Sequence, residues 1–214
     1  MRKTKFSSGE YYHIFNRGVD KREIFSDNND LARFFQSMSE FNTKEPIGSI
    51  FENSFRDSAL GGRAAKSKKL VNFICFCLNP NHYHFVLEQV ADNGIQKFMH
   101  RLGGGYTWYF NNKNKRNGVL FQGKYKSVHI GTNEYLLHMS AYVNLNNKVH
   151  QLGGSAAKLT MSSWKEYFKN DKEGFCNKEI ILRQFNGTEE YKNFAGDSLR
   201  SIREKKEMEK ILLE

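Results

Sequence analysis

The chain has no apolar run of about 18 residues, so the pattern of a membrane-spanning helix is missing. The basic start Met1-Arg2-Lys3-Thr4-Lys5 is not followed by an apolar stretch. A secretory signal is therefore not expected, and a cytoplasmic location is the default. Only 2 prolines occur, too few for Pro-rich linkers. Cysteines number 3, an odd count that suits reduced thiols better than a disulfide scaffold. No Gly-rich phosphate loop is seen, and no nucleotide cofactor is expected. Acidic residues are absent altogether from Asn93 to Asn133.

What is present is basic and aromatic. The 214 residues carry a net charge of +10, with 18 Phe and 10 Tyr. Residues 1–150 hold nearly all the excess charge, and residues 151–214 are almost balanced. The acid-free stretch contains Lys97, Arg101, Lys113, Lys115, Arg116, Lys124 and Lys126. Such a run repels itself unless it is a solvated face or meets an anion. Tyr106, Trp108, Tyr109, Phe110, Phe121 and Tyr125 are interleaved with these cations. Cations alternating with aromatics suit single-stranded nucleic acid, whose phosphates are neutralised and whose bases stack.

The coarse pattern is β-α-β-β-α-β-α, an α+β fold of ferredoxin-like type. It has one antiparallel sheet with helices on one face. Strands are expected over 10–17, 70–78, 82–90 and 121–130. Helices are expected from Asp27 or Asn28 to Asn42, from Asn93 to Asn112, and from Glu134 to Asn147. Gly103-Gly104-Gly105 is costly inside the second helix and predicts a kink or break there. Residues 43–69 read as a long loop. After residue 150 the pattern becomes helical, which divides the chain into a unit over 1–150 and an extension over 151–214. Leu60-Gly61-Gly62-Arg63-Ala64-Ala65-Lys66 is nearly repeated over residues 152–158; two short copies read as loop insertions, not a repeat fold.

Asn79-Pro80-Asn81-His82-Tyr83-His84-Phe85 is the sharpest local feature. Strand alternation sends His82 and His84 to one face and Tyr83, Phe85 and Leu87 to the other. Two imidazoles side by side make half of a divalent-metal site. Cys75 and Cys77 lie on the preceding strand, and an even-numbered turn would bring them to the histidine face. A structural zinc site then competes with the reading of both cysteines as small hydrophobes. In the last helix of the first unit, His138, Tyr142 and Asn146 fall on one stripe. Leu136, Met139 and Val143 form the neighbouring apolar stripe.

These motifs, in this order, resemble the HUH single-tyrosine transposases, above all the REP-associated tyrosine transposases. The resemblance runs over about residues 8–150. It rests on Tyr12-His13-Ile14-Phe15-Asn16-Arg17-Gly18, Leu78 to His84, Leu120 to Ser127, and Tyr142-Val143-Asn144-Leu145-Asn146. It implies that Tyr142 is the nucleophile and that His82, His84 and Asn146 hold a divalent metal, Mg²⁺ or Mn²⁺. The family usually has Pro where this chain has Asn147. The implied reaction cuts single-stranded or hairpin DNA, forms a 5′-phosphotyrosine and rejoins the ends in transposition. A non-catalytic hairpin-binding relative is the alternative. Arg17, Arg101, Lys124 and Lys126 are candidates for backbone contacts, and Tyr125 for base stacking. Monomer and homodimer both remain open.

Overall fold

The computed structural model describes residues 5–50, 68–149, 159–169 and 174–211. Both copies of the Leu-Gly-Gly-x-Ala-Ala-Lys segment, and most of the loop expected over 43–69, lie outside the described residues. Five antiparallel strands form one sheet: β1 (Tyr11–Arg17), β2 (Val71–Asn79), β3 (His82–Gln89), β4 (Lys126–Ile130) and β5 (Met161–Ser162). Their order is β4-β1-β3-β2-β5. The first four strands in this order are the ferredoxin-like sheet.

Helix α1 (Asn28–Glu40) begins where Asp27 accepts a hydrogen bond from the Asp30 amide. Helix α2 (Gly94–Lys113) follows β3. Both bury their apolar stripes on one face of the sheet. Phe34, Phe98 and Tyr106 meet there Tyr12, Ile14, Phe73, Tyr83 and Phe85. Each fully buried side chain of this size contributes about 1.5–3 kcal/mol.

Helix α2 runs unbroken through the glycine run. Tertiary packing of Met99, Leu102, Tyr106 and Phe110 offsets a propensity cost of about 1 kcal/mol per glycine. Gly105 has a packing reason: a Cβ there would lie 2.7 Å from the Phe41 ring. Gly103 and Gly104 have none, since nothing stands within 4 Å of a Cβ at either position.

Helices are not confined to one face as expected: the apolar stripe of α3 (Asn133–Asn144), capped by Thr132, covers the opposite face together with α6 (Thr188–Ile211). Leu136, Met139 and Val143 pack there against Cys75, Cys77 and Val86, as the apolar stripe requires. The short helices α4 (Asn146–Val149) and α5 (Glu179–Leu182) join this layer. A 3₁₀ segment, Ser163–Phe168, ties it to the sheet, with the Tyr167 hydroxyl donating to the Ile74 carbonyl at 2.8 Å. The part of the chain after residue 150 thus shares a core with the sheet. It also supplies β5, a strand the pattern did not announce.

Two element boundaries differ from the sequence expectation. The strand expected over 121–130 is only Lys126–Ile130, because Gly123 takes a left-handed φ of +66° and turns the chain. Phe121 keeps a single bridge to Gly18. The helix expected to reach Asn147 breaks at Leu145, with φ −107° and ψ 14°.

Candidate functional site

The connection between β2 and β3 is two residues long, Pro80-Asn81. It sets a register in which Asn79 faces His82 and Cys77 faces His84. His84 in turn stands opposite Phe15 on β1, and Phe15 opposite Lys126 on β4. Directly paired residues share a face. His84, Cys77 and Lys126 therefore project on the side covered by α3, while Tyr83 and Phe85 are buried on the other.

The break at Leu145 turns the next residue inward. Asn146 is fully buried, and its Oδ1 accepts from Asn79 Nδ2 at 2.8 Å. The same Asn79 amide donates to His82 Nε2 at 2.9 Å. On the far side of that ring, His82 Nδ1 donates to Asn81 Oδ1 at 2.6 Å. The tautomer follows: the proton is on Nδ1, and Nε2 carries a lone pair. His82 Nε2 and Asn146 Oδ1 lie 3.2 Å apart, two acceptors turned toward one positively polarised group.

His84 is oriented by a residue the sequence reading had placed only within a strand motif. His13 Nε2 lies 2.8 Å from His84 Nδ1, and the two rings stack at 5.1 Å. Burial lowers the His13 pKa to about 4, so this imidazole is neutral at ordinary pH. Tyr142 stands edge-on to both rings, 5.6 Å from His84 and 6.1 Å from His13. Burial raises its pKa, while the Asn146 amide acts in the opposite sense and favours the phenolate. Asn146 Nδ2 is buried and completes no full hydrogen bond.

Tyr142, His82 and His84 open into one cavity of about 880 Å³, which they line together with Arg17, Lys21 and Lys126. Its charged lining is wholly basic. Arg17 is held by the Gln122 side chain. Lys21, with a left-handed φ of +58°, is fixed by Asn81 Nδ2 donating to its carbonyl at 3.2 Å. Of the five expected DNA contacts, Arg17 and Lys126 are in this cavity. Lys124 and Tyr125 line a separate groove beside α2. Arg101 is on α2 and donates to the Thr43 and Lys44 carbonyls, a structural occupation away from the cavity. His138 reaches α6, its Nδ1 lying 3.2 Å from Ser198 Oγ.

A Cys₂His₂ zinc site is not assembled. Cys77 does lie beside His84, but Cys75 faces Val86. Cys77 Sγ instead donates to Asn79 Oδ1. Among the described residues no three His, Cys, Asp or Glu side chains cluster as metal ligands. Burial raises the pKa values of both thiols, that of Cys77 to about 12. The side chains that do come together are the His82 and His84 imidazoles and the Asn146 amide oxygen, two borderline nitrogen donors and one hard oxygen donor, all neutral. Among the described residues no helix is long and apolar enough to cross a membrane.

Comparison with known proteins agrees with this arrangement of elements. No curated protein matches the chain in sequence. A solved structure of a REP-associated tyrosine transposase bound to a REP hairpin superposes with a TM-score of 0.55. It covers 82% of this chain and 88% of its own, at 10% identity, so the likeness is one of fold. Residues 60–146 match the family model of the IS200-like transposases, a segment that includes His82, His84, Tyr142 and Asn146. Residues 60–146 are thus similar to the IS200-like transposases, and the chain has the fold of a REP-associated tyrosine transposase.

Proposed function

We propose that the protein cuts and rejoins single-stranded or hairpin DNA with Tyr142 as nucleophile and a divalent cation held by His82, His84 and Asn146. The catalytic unit is residues 1–150, and residues 151–214 are its helical extension. The observation that carries this reading is the convergence of Tyr142 and the two histidines in a single cavity lined by cations, with the buried Asn146 Oδ1 3.2 Å behind His82 Nε2.

Each group has a definable task. Arg17, Lys21 and Lys126 draw in the phosphodiester backbone and screen its charge from the incoming nucleophile. Tyr142 Oη attacks the phosphorus. The phenolic proton passes to solvent, the P–O3′ bond breaks as O3′ takes up a proton from solvent, and the products are a free 3′-hydroxyl and a 5′-phosphotyrosine. The ester keeps the bond energy for rejoining to a second DNA end. When bound, the cation neutralises charge developing on the phosphate. His82 would hold it through Nε2, which the Asn81 hydrogen bond leaves deprotonated and which here accepts from the Asn79 amide. His84 offers Nε2 when its Nδ1 proton is donated to His13, and the low proton affinity of His13 keeps that acceptor open. Burial of Tyr142 disfavours its phenolate, so adduct formation is expected to rise with pH, by up to about tenfold per unit.

The test is incubation with Mn²⁺ and a labelled hairpin oligonucleotide, followed by a denaturing gel. A protein–DNA adduct that requires metal and disappears in Tyr142→Phe supports the reading. A protein that binds the hairpin tightly but never forms an adduct is a binding module.

A further inference from the structure

The glycine run in α2 has no account in the chemistry above, and packing explains only Gly105. Gly103 and Gly104 form the floor of a cavity of about 550 Å³ between α2 and residues 119–125. That volume is within the range of about 300–1,000 Å³ usual for small-ligand sites. Any side chain at these two positions would project into open space above the helix. Gln96, His100 and Thr107 line the groove on the same helix stripe. Among the described residues none of these three makes a side-chain hydrogen bond, so their donors and acceptors are unspent.

The facing wall is Tyr125 and Lys124, with Val119 at 68% exposure. One turn beyond Gly104, Trp108 is 69% exposed. No acid occurs between Asn93 and Asn133, which suits a polyanion and repels acidic partners. The groove adjoins the candidate catalytic cavity. Asn16 lines both, and the intervening segment sends Gln122 and Lys126 to one side and Lys124 and Tyr125 to the other. A strand lying in the cationic cavity therefore needs only to cross this segment to enter the groove.

We propose that the groove is a base-reading pocket, which takes an unstacked base of the strand whose phosphate lies beside Tyr142. This rests on the proposed DNA cleavage and adds its specificity determinant. Gly103 and Gly104 give room for a base against the helix backbone. Tyr125 supplies a stacking surface, Gln96, His100 and Thr107 meet polar base edges, and Lys124 holds the adjoining phosphate.

The experiment is fluorescence anisotropy with a labelled single strand and a set of versions each carrying one abasic position. Gly104→Leu fills the pocket with a better helix former and is expected to melt no lower than wild type. It should bind about tenfold more weakly, within the range for loss of one stacked base. Gly196→Leu, the same change at an open position on α6, should bind as wild type does. In wild type, one abasic position should cost about tenfold, and in Gly104→Leu that position should cost nothing more. Binding by Gly104→Leu within twofold of wild type overturns the proposal. So does a wild-type scan in which no abasic position matters, a result that holds whether or not the variant folds. A normal Mn²⁺-dependent adduct with either negative result removes the pocket alone. A groove-dependent loss of binding in a protein that forms no adduct removes the cleavage reading and leaves the pocket.

Discussion

Acidification from pH 6.5 to pH 4 is expected to remove about 3 kcal/mol of stability through His13 alone. This imidazole is only 7% exposed, and burial takes its pKa from 6.5 to about 4. The unfolded chain binds a proton as pH falls through 6.5, whereas the native chain refuses it until about pH 4. Stability is therefore complete above pH 6.5, declines between the two values, and loses nothing more from this group below pH 4. At about 1.36 kcal/mol per tenfold change in proton affinity, the interval amounts to about 3 kcal/mol. For a domain of this length that is a fall in Tm of roughly 6–12 °C. Asp27, held low by its hydrogen bond to Lys113, titrates below this window. The assay is thermal melting of metal-free protein across the interval, with wild type compared with His13→Gln. The variant starts lower and should follow a flatter pH profile. Equal losses in the two proteins would refute the reasoning.

The other predictions rest on contacts within the fold and the site. Gly105→Ala forces a Cβ against the Phe41 ring and should cost about 1–3 kcal/mol, while Gly103→Ala should stabilise by roughly 1 kcal/mol; chemical denaturation separates them. Asn146→Ala removes the acceptor for a buried Asn79 amide and should cost about 1–3 kcal/mol. The same variant should lose the rise in Tm that Mn²⁺ gives the wild type. Cys75, Cys77 and Cys176 are buried with raised pKa values, so native protein should resist alkylation at neutral pH and react in denaturant. Rapid labelling of Cys77 in the folded protein would contradict its placement.

The sequence carried the parts of the site that have a local period. Strand alternation was enough to place His82 and His84 together and to bury Tyr83 and Phe85 behind them. Helical spacing put Tyr142 and Asn146 on one stripe, but the helix ends at Asn144 and it is the break at Leu145 that turns Asn146 inward. What it did not carry depends on residues far apart in the chain. His13 sits in a strand where alternation gives its face but not its partner, and the partner is His84 on another strand. Asn79 and Asn81 read as turn chemistry, yet they set the tautomer of His82 and bridge it to Asn146. Lys21 carries no local signal, and only the fold places it in the cavity. The local penalty of three glycines suggested a broken helix, and tertiary packing overrode it. Arg101 shows the converse: a cation in a promising stretch whose guanidinium is engaged by backbone carbonyls.

The central claim is that Tyr142 becomes covalently joined to the 5′ end of a cut strand. The most direct measurement is peptide mass spectrometry of the protein after reaction with Mn²⁺ and a hairpin oligonucleotide. The account predicts a nucleotide phosphoester on the peptide containing Tyr142, absent without metal and absent in Tyr142→Phe. A phosphoester on Tyr125, or an adduct that persists in Tyr142→Phe, would contradict it.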